Sequence, residues 1–146
     1  MDNSGIIFRE VPFGSDHYRA LLGIRDEILR KPIGMNLRDK DTASDHAEFH
    51  LAAFDGDKAV GCVLLAPHGE GVIQLRQMAV LNSYQRRKIG AQLVGFAEGF
   101  ARQKGFTVME ARAWRTAQGF YAKLGFESRE HEFADEHTLK MQKALS

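Results

Sequence analysis

Leu75-Arg76-Gln77-Met78-Ala79-Val80-Leu81-Asn82-Ser83-Tyr84-Gln85-Arg86-Arg87-Lys88-Ile89-Gly90-Ala91 is the stretch on which the reading of this chain turns. Its first six residues complete a β-rich run that predicts a strand over 72–80, with Ile73, Leu75 and Gln77 on one face and Gln74, Arg76 and Met78 on the other. A short polar turn follows, and then a helix predicted over 88–104. Ile89, Leu93, Phe96, Ala97, Phe100 and Ala101 recur at helical spacing, and Gly105 closes the helix. A helix N-terminus leaves its first amides unpaired, and its dipole favours an anion there. Gly90 and Ala91 are small enough for a phosphate to approach the backbone, and Arg86, Arg87 and Lys88 add positive charge. The segment therefore suits a pyrophosphate. Two other readings stay open on these residues alone. The cations could simply be solvated, with Gly90 serving close helix–sheet packing, or Arg86-Arg87-Lys88 could meet nucleic acid. The Gly-Lys-Ser/Thr ending of a P-loop is missing.

Working outward, Ile6 to Val11 reads as a strand ending before Pro12. Ser15 and Asp16 are candidate caps for a helix running to about Arg30, stopped by Pro32 and Gly34. Residues 35–48 are polar and irregular, suited to a variable pocket. Phe49–Phe54 and Ala59–Ala66 read as hairpin strands joined by Asp55-Gly56-Asp57-Lys58. Beyond the long helix come a strand over 107–113, a short helix over 116–124 ending at Gly125, and two strands over 126–133 and 137–142. The order is β-α-(loop)-β-β-β-α-β-α-β-β, a mixed α/β arrangement.

Bulk properties fit one globular domain spanning 1–146, with 44% hydrophobic and 27% charged residues. A net charge of +1 offers no global field for nucleic acid or an acidic membrane, so neither is an expected partner. Cys62, the single cysteine, sits in an apolar run and reads as a small buried residue rather than a catalytic thiol. The first residues show no signal-peptide pattern, and no apolar stretch reaches the roughly 18–20 residues of a membrane span. A cytoplasmic location is the expectation.

A second motif lies downstream: Ala117-Gln118-Gly119-Phe120-Tyr121-Ala122-Lys123-Leu124-Gly125-Phe126. With Gln85 to Gly90 it resembles the GNAT superfamily of acyl-CoA-dependent N-acyltransferases. That family carries Gln/Arg-x-x-Gly-x-Gly/Ala at a strand–helix junction and Ala-x-x-Phe-Tyr-x-Lys-Leu-Gly-Phe further on. Order, separation and elements agree over nearly the whole chain. The resemblance implies a single-domain α/β fold, a mixed sheet of about six to seven strands flanked by helices, with a splayed central strand pair. It implies that acetyl-CoA is the co-substrate and that an amine of a small molecule or peptide is the acceptor. A homodimer is a further expectation, since members often dimerise.

The implied cofactor contacts are the backbone of Arg86, Arg87, Lys88, Ile89, Gly90 and Ala91 at the pyrophosphate, with Gln85 beginning the motif. Backbone groups of Met78, Ala79 and Val80 would pair with the pantetheine arm as an added strand does. Trp114 and Phe120 complete the cofactor set. Tyr121 is implied to lie near the sulfur as general acid to the departing thiolate. The backbone amide of Met78 or a neighbour would meet the oxyanion. Two positions depart from the pattern. Lys88 stands where the family has its first glycine. A negative φ would accommodate it, whereas a positive φ would cost roughly 1 kcal/mol. Trp114 replaces a frequent Asn. Glu110 is the tentative general base, with Glu27, His46, His50 and a relaying water as alternatives. The scattered histidines give no metal-ligand spacing, so no metal is expected. An alternative function is a non-catalytic acyl-CoA-binding module.

Overall fold

The computed structural model describes residues 5–128 and 138–145. Seven strands form one mixed sheet in the order β1-β2-β3-β4-β5-β7-β6. The strands are β1 Ile6–Val11, β2 Phe49–Asp55, β3 Lys58–Pro67, β4 Val72–Val80, β5 Val108–Trp114, β6 Glu127–Ser128 and β7 Thr138–Ala144. The α-helices are α1 Asp16–Arg25, α2 Asp39–Thr42, α3 Ile89–Gln103 and α4 Gln118–Lys123. The strand expected over 126–133 is present at Glu127–Ser128, and its remainder lies outside the described residues. Two compact units make up the chain, Met1–Leu65 with Gln77–Ala97, and Ala66–Arg76 with Glu98–Ser146.

In the first unit β1 pairs antiparallel with β2, and β2 with β3. β2 and β3 read as near-continuous apolar runs because both faces are covered: Leu51 to Phe54 and Val60 to Leu65 are all buried. On one side, Tyr18, Leu21 and Ile24 of α1 pack with Ala52, Phe54, Cys62 and Ala79. Another cluster joins Ile89 to Ile6, Ala53 and Val60. Helix α1 starts where Ser15 accepts a hydrogen bond from the Tyr18 amide at 3.1 Å, a capping contact. The α-helix ends sooner than the sequence suggests. Asp26–Arg30 is a π-helical turn and Lys31–Ile33 a 3-10 turn, closed by Gly34 at φ 75°.

The polar 35–48 stretch is more ordered than its composition implies. Arg25 donates to Asp45 at 2.7 Å and to the Asp41 carbonyl at 3.0 Å, and the Tyr18 hydroxyl donates to Asp45 at 2.6 Å. Arg25 and Asp45 are 2% and 1% exposed, so this is a buried ion pair whose desolvation is offset by added hydrogen bonds. His50 donates from Nε2 to the Asp45 carbonyl at 2.8 Å. Asp26 and Asp41 cap the Leu37 and Arg38 amides. The Arg38 amide beside Asp41 holds that carboxyl below the usual carboxylate range.

In the second unit β4 and β5 run parallel, with Val72↔Val108 to Leu75↔Ala111 in register, and β5 pairs antiparallel with β7. Alternation divides this part of the sheet. Ile73, Leu75, Met109, Ala111, Ala113, Leu139 and Met141 are buried on one face. Gln74, Glu110, Arg112, Gln142 and Lys140 occupy the other. Among the described residues no helix is long and apolar enough to cross a membrane, which says nothing of a β-barrel.

Candidate active site

The turn between β4 and α3 departs from ordinary backbone at three non-glycine positions. Gln77 lies at φ 54°, Arg86 at 67° and Lys88 at 64°. Left-handed conformations disfavour residues with a Cβ, and such outliers concentrate where backbone does chemical work. Two of the three immediately precede α3, whose ladder starts with the Gln92 amide on the Lys88 carbonyl at 3.0 Å. The amides of Ile89, Gly90 and Ala91 come before that first bond and have no place in the helical ladder. Left-handed residues alternating with others turn successive N–H groups into a concave nest, an anion-binding geometry. Lys88 therefore takes the positive φ that makes it costly, and Arg86 adds a second left-handed residue that no glycine or asparagine signals in the sequence.

Side chains brace the turn. Gln85 Nε2 donates to the Val80 carbonyl at 2.9 Å and to Asn82 Oδ1 at 3.1 Å. The Leu81 amide donates to the Val60 carbonyl at 2.9 Å. The Tyr84 hydroxyl donates to Asp55 at 2.6 Å, and that bond holds its phenol proton more tightly than usual. Arg87 stacks over the Tyr84 ring at 4.9 Å. Of the three consecutive cations, Arg86 and Lys88 are exposed and Arg87 is partly buried on tyrosine. A phosphate would thus be held chiefly by backbone amides, with the arginines and lysine adding screened attraction.

Gln77 was not singled out in the sequence. It carries the mid-strand positive φ and a buried side-chain oxygen with no hydrogen-bond partner among the described residues. Its neighbours Met78 and Val80 are half-buried and Ala79 is buried.

In the second unit, α4 explains the downstream motif. The Phe126 amide bonds to the Tyr121 carbonyl at 3.1 Å and the Gly125 amide to the Ala122 carbonyl at 3.0 Å, with Gly125 at φ 96°. That is a Schellman ending, whose hydrophobic partners are Tyr121 and Phe126, with ring centroids 5.5 Å apart. Much of Tyr-x-x-x-Gly-Phe is thus a helix stop. The Tyr121 hydroxyl is what that stop leaves over. Burial alone pushes it up to about 12, so it stays protonated at any working pH. Phe120 is half-buried against Tyr121, and Trp114 is 61% exposed.

Glu110 is 5% exposed and stands in register with Gln74 of β4 and Gln142 of β7. Its Oε2 accepts from Gln142 at 2.8 Å and lies 3.7 Å from Lys140, while Oε1 is buried without a partner among the described residues. Among the other base candidates, Glu27 and His46 are exposed and His50 is buried, its Nε2 proton committed to the Asp45 carbonyl. Cys62 is buried, and burial pushes its thiol up to about 12, which removes it as a nucleophile.

Comparison with known proteins identifies the family. The sequence profile of the acetyltransferase (GNAT) family matches residues 17–126. The chain belongs to that family. This acetyltransferase is 30% identical, over 111 residues, to the uncharacterised N-acetyltransferase YitI of Bacillus subtilis, covering 70% of the chain and 73% of the relative. Its fold matches a Lactobacillus plantarum protein assigned as an N-acetyltransferase, with a TM-score of 0.82 at 23% identity over 97% of each chain. It also matches the PaiA N-acetyltransferase of Thermoplasma acidophilum, solved with coenzyme A. The TM-score there is 0.74 at 18% identity, covering 95% of this chain and 98% of that one. Membership makes this acetyltransferase an acyl-CoA-dependent N-acetyltransferase. The structure gathers Met78 to Val80 and Gln85 to Ala91 within one unit, and Glu110, Trp114, Phe120 and Tyr121 within the other.

Proposed function

We propose that this acetyltransferase moves the acetyl group of acetyl-CoA directly to a primary amine, without a covalent enzyme intermediate. The carrying observation is the pair of left-handed residues, Arg86 and Lys88, set immediately before the unpaired amides of α3. Nest and helix N-terminus together supply what a pyrophosphate needs, and the donor set fits it. In this reading the backbone from Arg86 to Ala91 holds the pyrophosphate. Met78, Ala79 and Val80 pair with the pantetheine arm, and Trp114 and Phe120 offer it apolar contact.

The chemistry then balances as follows. The acceptor arrives as an ammonium and gives a proton to Glu110, directly or through water. The neutral nitrogen attacks the thioester carbon, the C–N bond forms and the C–S bond breaks. The second amine proton leaves to solvent, and the CoA thiolate takes the Tyr121 hydroxyl proton. Solvent then reprotonates the phenolate. Two features support these roles: burial raises the Tyr121 hydroxyl above its ordinary value, so its proton is there to give, and among the described residues Glu110 keeps one carboxylate oxygen unbonded.

The test is amine-dependent release of free CoA from acetyl-CoA across amines, polyamines, amino acids and peptides. Release with at least one class is expected. Tight acetyl-CoA binding with no release on any acceptor would leave a binding module instead.

A further inference from the structure

The polar face of the second unit's sheet has an arrangement that a purely structural surface would avoid. Arg112 of β5 and Lys140 of β7 are directly opposed in register. Opposed side chains in an antiparallel pair sit about 4.5–5.5 Å apart at Cβ, and like charges placed so are destabilising. Arg112 is exposed. Lys140 finds partial relief 3.7 Å from Glu110. Alternation along β4 puts exposed Arg76, two residues beyond Gln74, on the same face.

One row along, Glu110 has the opposite problem. It is a buried carboxylate, 5% exposed, with Oε1 lacking a donor among the described residues. A buried acceptor left unmade costs free energy unless something fills it. Among the described residues, the face thus sets a carboxylate with one oxygen unbonded beside two opposed cations that have only that carboxylate to share. The two rows are two residues apart, roughly 7 Å along the strand. Repulsion kept in a fold at a cost to stability is typical of a binding site.

We propose that Arg112 and Lys140 bind a carboxylate of the acceptor, so that the amine substrate is of amino-acid or peptide type. Glu110 meets the amine and the cation pair meets the acid. This rests on the N-acetyltransferase reading above, since it names that reaction's acceptor.

The test pairs free amino acids and short peptides with their C-terminal amides, in the wild type and in Arg112→Gln. The wild type is expected to favour the acids by about tenfold or more in kcat/KM, the scale of one charge-assisted hydrogen bond. R112Q should erase that preference through KM and leave rates on the amides and acetyl-CoA affinity unchanged. Arg112→Lys should restore part of it. R112Q should also unfold no earlier than the wild type, because it removes a like-charge contact. A wild type indifferent to the carboxylate, or a preference that survives R112Q, overturns the proposal. A second arm is independent of turnover: N-acetylamino acids, as products, should raise the melting temperature of the wild type more than that of R112Q, and their amides should not. If no amine is acetylated yet this difference appears, the anion site stands and the activity reading falls. If the difference is absent, the site falls whatever the activity.

Discussion

Replacing Lys88 by proline should weaken acetyl-CoA binding sharply, and replacing it by glycine should not. Lys88 sits at φ 64°, and proline fixes φ near −65° and has no N–H. Lys88→Pro therefore undoes the nest and deletes one amide beside the pyrophosphate. A hydrogen bond to a charged group contributes about 1.5–3 kcal/mol, so the loss in affinity is on the order of tenfold to a hundredfold. Lys88→Gly works the other way. It relieves roughly 1 kcal/mol of left-handed strain. It also frees the unfolded chain, which costs about 0.4–1 kcal/mol, so net stability should move little. Lys88→Ala keeps the strain and the amide and removes only an exposed ammonium, a screened contribution below about 1 kcal/mol. Titration calorimetry with acetyl-CoA reads the affinities, and thermal unfolding confirms that each variant is folded. A folded proline variant with wild-type affinity would refute the backbone cradle. A glycine variant weakened more than about tenfold would refute it too, by moving the binding energy to the lysine side chain.

Other consequences follow from named contacts. Tyr121→Phe keeps the ring packing on Phe126 and should leave acetyl-CoA affinity intact while kcat falls roughly a hundredfold. Unchanged kcat would remove the hydroxyl from the reaction. Because burial raises Tyr121 to about 12, its proton is fully present below the unfolded value near 10 and is lost only as pH rises through about 12. The kcat profile of a folded enzyme should therefore show no alkaline fall from this group up to about pH 10, and a Tyr121-dependent fall between pH 8 and 9 would contradict the assignment. Asp45→Ala strands a buried Arg25 and should cost about 3–5 kcal/mol in urea unfolding. A loss below about 1 kcal/mol would mean the pair does not hold the 35–48 stretch. Cys62 should resist thiol reagents in the native protein at pH 8 and react once it is unfolded, and fast native labelling would contradict its burial.

Periodicity made the order of elements legible in the sequence. β1, β4 and α3 lie within a residue or so of where the spacing of Ile6–Val11, Val72–Val80 and Ile89–Ala101 puts them. The end of α1 was not legible, because Ile28 and Leu29 continue an apolar pattern through a π-helical turn that no local residue announces. Nor was the order in residues 35–48. Alternating acids and bases look solvated, and only the long-range pairing of Arg25 with Asp45 and Tyr18 shows that one acid is buried. At the site, small Gly90 and the basic turn pointed to the loop in which Arg86 and Lys88 take left-handed backbone. The left-handed backbone of Gln77 and Arg86 carries no sequence mark, because neither position is a glycine or asparagine. Tyr121 and Gly125 stood out through a motif that is in good part a Schellman stop, so much of the motif's regularity has a folding origin.

In the proposed function, the turn from Arg86 to Ala91 grips the pyrophosphate of coenzyme A. Amide-resolved NMR with coenzyme A and, separately, with pantetheine tests it directly. Coenzyme A should shift the amides of Lys88 to Ala91 and slow their hydrogen exchange, whereas pantetheine, which lacks the pyrophosphate, should leave them unchanged. Equal effects from both ligands, or none at these amides with coenzyme A bound, would contradict it.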